Sequence, residues 1–580
     1  MKNKELADVV DDTNVLEEEY EPVKKKPKTF SIKEFRKNLK SENILDVLGT
    51  FQELLVKILL ALLEKRGLLT SVVKGLIHDD ADIICMTIDT LRNQILENPL
   101  VSKTVKMRTF NTAVIKDVVQ LYNWKGPVSL QKGPKKKNED IVVTQVDPVL
   151  KVKVSDCVHQ FLLTLCTSFK YGVIFRDPQI GLGRKMQNNL IYTVIDSLDS
   201  PWKHSYASEL VIKICGACPD LAKTVWTNLK PSLEPRRTEQ WLVALKFMKN
   251  LVKELGPSRI ENCIKELTPQ QLAQITQMLV APTQILKILL EGETFSDKYL
   301  KYHTSHILTR CIELVELYLK SAEAILTSEN YSTYKNLIQA HLDRNFPNST
   351  LLLTNYKAKD ELVDDYNFLD VIFQLLSMYQ KVCPQLLDFT SPSINFKKIL
   401  DYTKKISQDK SGILEIKIVK LYLDQDPVAF LPNTQLFEQI LPFILHCYCK
   451  LHDDASYRVL EKIFLNTGIF QWCEAEISIW ITSLTNIEKC TDSIIQLFTN
   501  TLSLVFEKST LYFTELSEIK ASLSGSKKSM DLKEILESIA MENDTKIIRK
   551  YSLIKHTYML CKILMPEKRT CESFSTRWNL

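Results

Sequence analysis

Apolar residues recur along most of this chain at spacings of three and four. Phe51, Leu54, Leu55, Ile58, Leu59 and Leu62 fall on one helical face. The same spacing returns at Val158, Phe161, Leu162 and Leu165, and at Ile307, Cys311, Leu314, Val315 and Tyr318. It returns again at Phe368, Leu369, Ile372, Phe373, Leu376 and Tyr379. Strand-like alternation is nearly absent; Ile141 to Val146 is the best candidate, and it sits in a loop. Helix boundaries are frequent. Asn98-Pro99, Asp147-Pro148, Cys218-Pro219-Asp220, Gly256-Pro257-Ser258, Thr268-Pro269 and Ala281-Pro282 each suit a turn followed by a new helix. Proline is accepted in a first helical turn, where its missing N–H costs nothing.

The segments between stops run roughly 12 to 25 residues, the length of antiparallel helix pairs. No strict repeat is visible, but the spacing falls near the ~40 residues of armadillo or HEAT units, whose sequences are often degenerate. The pattern therefore predicts an all-α fold, an armadillo/HEAT-like α-solenoid of antiparallel helix pairs over residues 42–580. Such units bury their faces against neighbours and leave an extended surface suited to binding. Three segments read as loops, 124–147, 345–365 and 520–530.

Composition sharpens this reading in one place. Fourteen glycines in 580 residues is far below the usual ~7%. Folds built on phosphate-binding turns depend on glycine, so their classes lose ground. The net charge of +5 is too weak to mark a nucleic-acid binder, but its distribution is informative. Residues 1–21 carry two lysines against eight acids, and residues 22–40 carry eight Lys/Arg against Glu34 alone. That switch reads as a disordered tail over residues 1–41. Within it Lys24, Lys25, Lys26 and Lys28 resemble a nuclear-import signal. The N-terminus is charged and so unlike a signal peptide, and the longest apolar run, Ile58 to Leu63, is too short to span a bilayer. The fourteen scattered cysteines read as reduced thiols.

Candidate chemistry is sparse. Gly181-Leu182-Gly183 lacks the third glycine and the preceding strand of a dinucleotide site. Cys215 and Cys218 have redox or zinc spacing, but no second ligand pair accompanies them, and they are read as core thiols. His446, Cys447, Cys449 and His452 are the richest ligand cluster, yet on a helix they spread around the cylinder rather than converge on zinc. His303 and His306 are read as surface or cap residues. Glu361, Asp364 and Asp365 sit where carboxylates favour a helix start. Basic residues remain: Lys132, Lys135, Lys136 and Lys137 in a Gly/Pro-punctuated loop, with Lys103, Lys106 and Arg108 before it. They either contact RNA phosphates or form a solvated linker. Aromatic interleaving of the kind that stacks bases is weak in the loop.

The most distinctive stretch is Tyr171, Gly172, Val173, Ile174, Phe175, Arg176, Asp177 and Pro178, then Asn188-Asn189, then Ser200-Pro201-Trp202. It reads as two helices joined by an irregular loop and closed by a Pro-Trp turn. It runs on through Glu209-Leu210 to Cys218-Pro219-Asp220-Leu221. This order resembles the N-terminal region of the nucleolar pre-ribosomal-associated family, long helical-repeat proteins of large-subunit assembly. A second resemblance lies at Phe470 to Trp480, with Glu474 and Glu476. The family's members are much longer, with a further helical region and a C-terminal domain.

The resemblance implies a non-enzymatic nucleolar scaffold for 60S assembly and ribosomal RNA processing. It implies contact with pre-ribosomal RNA, early large-subunit precursors and assembly factors including a DEAD-box helicase, with no cofactor, metal or membrane. It assigns structural roles to Gly172, Phe175, Asp177, Asn188, Pro201, Trp202, Glu209, Pro219 and Asp220, with Pro201-Trp202 wedged between helices and Asp177 capping one. Two other readings share the architecture: a karyopherin-like or trafficking adaptor, and an enzyme with zinc near His446 and Cys449.

Overall fold

The computed structural model describes residues 67–127, 147–183, 187–388, 395–406, 412–432, 434–468 and 492–511, with isolated positions at 58, 61, 477, 478, 481 and 514. The tail, the 128–146 part of the first loop, all of 520–530, and nearly all of the Phe470–Trp480 and Phe51–Leu62 segments lie outside the described residues.

Every regular element among the described residues is helical, as an α-solenoid requires. The principal helices are α1 (Leu68–Leu76), α2 (Ala81–Leu91), α3 (Lys103–Thr109), α4 (Thr112–Gln120) and α5 (Pro148–Thr167). Then come α6 (Asn189–Ser197), α7 (Ser205–Ala217), α8 (Ala222–Leu229), α9 (Glu239–Glu254), α10 (Pro269–Val280) and α11 (Thr283–Leu290). The remainder are α12 (Lys298–Ile325), α13 (Ser328–Asn345), α14 (Asp365–Val382), α15 (Phe396–Ile406), α16 (Ile413–Gln425), α17 (Gln435–Leu451), α18 (Asp454–Asn466) and α19 (Asp492–Glu507).

The predicted starts are realised through their caps. The Asp147 carboxylate accepts the Val149 N–H ahead of Pro148, and Thr268 forms a capping box with Gln271 ahead of Pro269. Asp364 caps α14. Each cap satisfies a backbone donor that the helix itself leaves unpaired.

Helices α2, α5, α7, α9, α12, α14, α16 and α18 pack side by side in chain order, each on the next. A second row packs behind them, with α1 on α4, α4 on α6, α8 on α10, α10 on α13 and α17 on α19. The core is one continuous cluster between these rows. It contains Val158, Phe161, Leu162 and Leu165 of α5, Ile307, Cys311, Leu314, Val315 and Tyr318 of α12, and the six-residue stripe of α14. Removing that apolar surface from water is the main drive to this packing.

A recurring corner joins the rows. Helices α7, α14 and α16 end at Cys218, Cys383 and Asp426, whose φ/ψ values are −127/78, −143/72 and −132/79. Each of these residues precedes a proline that opens a 3-10 turn. The proline ring excludes its predecessor from the α region, so the helix stops at a fixed angle. The ending N–H still reaches the carbonyl four residues back, at 2.7, 2.8 and 2.9 Å.

Neighbouring front-row helices are also tied by charge. Lys153 of α5 meets Asp82 of α2 at 2.8 Å, Lys213 of α7 meets Glu254 of α9 at 3.5 Å, and Lys417 of α16 meets Asp370 of α14 at 2.6 Å. Lys298 of α12 pairs with Asp365 of α14, and Lys462 of α18 with Asp424 of α16. The exposed pairs among these add little stability each, so their value is in register.

Candidate functional site

Helix α5 runs out at Thr167, and the described residues from Ser168 to the start of α6 are irregular. The expected helix–loop–helix in residues 171–202 is therefore one helix preceded by a loop. The backbone of this loop is held by side chains from three directions. From α3, Lys106 donates to the Tyr171 carbonyl at 3.1 Å and Lys103 donates to the Ile174 carbonyl. From within, the buried Asn188 amide accepts the Phe175 N–H at 2.8 Å and returns a bond to the Phe175 carbonyl at 2.9 Å. Its Nδ2 also lies 3.3 Å from Asp220 Oδ2 beyond the α7 corner. The Asp177 carboxylate accepts the Gln179 and Gly181 N–H groups at 3.0 and 2.8 Å. It heads a turn, and no helix follows, which corrects its expected role as a helix cap. Gly181 has φ +79°, a conformation that favours glycine, and a Cβ added there would stand 3.4 Å from the Asp220 backbone.

These ties gather the motif residues around one open cleft of about 540 Å³. Phe175, Asp177, Glu209, Pro219 and Asp220 line it, together with Lys213 and Arg259. The two cations are engaged by Glu254, at 3.5 Å from Lys213 and 2.7 Å from Arg259. Pro201 opens a 3-10 turn that packs on α7 and α9, and Trp202 lies 6.1 Å from the Phe247 ring of α9. Glu209 faces the buried His159 at 3.6 Å. Lys213, Glu254 and Arg259 carried no sequence signal, because they are ordinary helix-surface charges until the corner folds over them.

Burial pushes the Asp220 carboxyl above its ordinary range, the Asn188 bond opposes this, and the nearby Asp177 charge adds to it. The sign follows from linkage: an acid raised in the folded state costs stability above its unfolded pKa. Asp220→Asn, which keeps an acceptor for Asn188, should therefore melt higher than the parent at pH 7. The gain should vanish by about pH 3, where the parent is protonated folded and unfolded alike. Thermal melts at both pH values check this. A carboxylate perturbed by burial in a cleft marks a candidate functional position.

Lys103 and Lys106, read from sequence among the RNA-contacting cations, spend their ammonium groups on these carbonyls. Burial lowers the pKa of both. Arg108 is exposed on the same helix. Lys132, Lys135, Lys136, Lys137 and the import-type cluster Lys24, Lys25, Lys26 and Lys28 lie outside the described residues.

Elsewhere, Cys215 and Cys218 are buried free thiols, and burial pushes Cys218 up to about 12. Cys447 is buried while His446 and His452 are exposed. Among the described residues no group of three His, Cys, Asp or Glu could hold a metal ion, and no helix is long and apolar enough to cross a membrane. Contrary to expectation, His303 and His306 are neither caps nor free surface residues. Both are half-buried within α12 among tyrosine rings. Of the residues lining the cleft, Cys263 is the one thiol, and its pKa is raised mainly by burial. The arrangement is equipped to recognise a surface.

Residues 17–244 match the family Npa1, described as Ribosome 60S biogenesis N-terminal, and that span holds every motif residue around the cleft. The chain is a relative of nucleolar pre-ribosomal-associated protein 1. It is 22% identical to the Mus musculus protein over 514 residues, covering 77% of this chain and 22% of that one. The Homo sapiens protein is 22% identical over 481 residues, covering 73% of this chain and 21% of that one. The chain thus spans about a fifth of the length of these curated relatives. No solved structure matches it.

Proposed function

We propose that this chain is a non-enzymatic, armadillo/HEAT-like scaffold of the nucleolus, assembling early precursors of the 60S subunit and supporting ribosomal RNA processing. The observation that carries the reading is the match of residues 17–244 to a 60S biogenesis family. The side-by-side helical rows support it physically, because they give a long surface on which several partners can sit at once. Assembly factors, a DEAD-box RNA helicase among them, take that surface. The motif cleft, walled by paired charges with Asp220 in its floor, serves as a protein-recognition point. Pre-ribosomal RNA meets the exposed Arg108 and the lysines Lys132, Lys135, Lys136 and Lys137. The cluster Lys24, Lys25, Lys26 and Lys28 directs nuclear import.

Sedimentation of the tagged chain through sucrose gradients tests the scaffold reading. The chain should travel with large-subunit precursors and leave them when they are disrupted. A chain that stays at the top of the gradient under all conditions would favour the adaptor reading instead. The RNA contact has its own test. Reversing Lys135, Lys136 and Lys137 to glutamate should weaken RNA binding and flatten its dependence on salt by about two log units of affinity per log unit of salt. Unchanged binding would return those lysines to a solvated linker.

A further inference from the structure

Helix α12 carries a ladder of part-buried rings. Tyr299 and His303 lie 4.6 Å apart between centroids, Tyr302 and His303 5.0 Å, and Tyr302 and His306 4.8 Å, all edge to face. The positions recur every three or four residues, so the ladder climbs one stripe over about 10 Å of helix. All four rings are half-buried: packed enough to be held, open enough to offer surface.

Helix α9 runs beside this stripe in the same direction. Its Trp241 meets Tyr299 and His303 near the helix starts, at 6.5 and 6.2 Å. Farther along, Lys249 acts electrostatically on His306. Lys246, Lys249 and Lys253 occupy one stripe of α9 at i, i+3 and i+7, with Lys246 and Lys253 exposed. The carboxylates around the ladder are already engaged: Asp370 with Lys417, Asp297 and Asp360 with Arg237, Glu313 with Arg310. Burial, then Lys249, His303 and Arg310, push His306 down to about 4, so its imidazole is neutral at working pH.

We propose that this ladder and the adjoining lysines form a binding surface for unpaired, single-stranded RNA. Bases stack on the faces of Tyr302, His306 and their neighbours, and phosphates lie along Lys246, Lys249 and Lys253. Rings at this spacing serve two or three nucleotides, and stacking tolerates any base because every base has a π-face. A duplex hides those faces, so the surface discriminates against paired RNA. The proposal rests on the reading that the chain meets pre-ribosomal RNA, and it moves part of that contact from the basic loop to the helical array.

Fluorescence anisotropy of the full chain with a labelled oligouridine, and with a duplex of equal length, tests it. The ring variant Tyr302→Leu/His306→Leu should bind oligouridine about tenfold or more weakly, with duplex affinity unchanged. The variant Lys246→Gln/Lys249→Gln/Lys253→Gln, mostly at exposed positions and so safe for folding, should reduce the salt slope of oligouridine binding by about two. If the parent chain binds oligouridine and both variants match it in affinity and slope, the surface is overturned while the RNA reading stands. Loss of a protein assembly factor from the same variants would then assign the ladder to protein docking. If the parent chain binds neither RNA, both this surface and the RNA reading fall.

Discussion

Gly172→Ala is expected to destabilise the protein by about 3 kcal/mol, at the upper end for overpacking a tight site. An added Cβ would stand 2.5, 2.6 and 2.7 Å from the carbonyl oxygens of Leu165, Ser168 and Thr164. All three are backbone atoms at the end of α5, so no rotamer change relieves the clash. The loop must lift, and the bonds from Gly172 N–H to Ser168 at 2.8 Å and from Val173 N–H to Leu165 at 2.9 Å are lost with it. Those bonds satisfy the last carbonyls of α5, which have no intrahelical partner. Urea unfolding of the parent and variant measures the loss. A change below about 1 kcal/mol would mean that the loop relaxes freely, against the rigid packing described for it.

Asn188→Leu is expected to cost about as much, by a different route. The side chain fits in size but offers no polar atom. Asn188 is only 2% exposed, so no water replaces what is removed. Phe175 loses partners for both its N–H and its carbonyl, and Asp220 loses its neighbour. Each buried backbone group left unpaired costs about 1–3 kcal/mol. The loss should be local in its first expression: limited proteolysis should cut the variant between Tyr171 and Asn188 under conditions where the parent stays whole. Protection equal to the parent would show that the amide does not hold the loop.

How much of this was legible in the chain depends on the range of the interaction. The stripes of α5, α12 and α14 were readable because helical burial repeats locally, every three or four residues, whatever the partner. Starts at Asp147-Pro148 and Thr268-Pro269 were readable for the same reason, since a cap and its N–H lie within three residues. The corner shared by Cys218, Cys383 and Asp426 was not, because residues as different as cysteine and aspartate serve it and proline alone sets the angle. The cleft was not legible either. Asp177, Glu209 and Asp220 are separated by 32 and 11 residues, and only the loop's return onto α7 brings them together. Lys103 and Lys106 show the opposite failure. A lysine reads as a surface cation from sequence, yet these two bury long stems and satisfy carbonyls about 70 residues away. The α12 ladder escaped notice because His303 and His306 read as surface or cap residues from sequence, and only the fold sets the tyrosines and the lysines of α9 beside them.

These features share one logic. The rows of helices supply rigidity, and the irregular segment between α5 and α6 uses that rigidity to hold a polar cleft open. Asp220 illustrates this: it lines the cleft, and burial raises its carboxyl pKa.

Ultraviolet crosslinking of the tagged chain in cells, followed by sequencing of the bound RNA, tests the central claim most directly. The account predicts reads concentrated in the large-subunit ribosomal RNA precursor, from protein located in the nucleolus. An RNA-free result with the protein outside the nucleolus would contradict it.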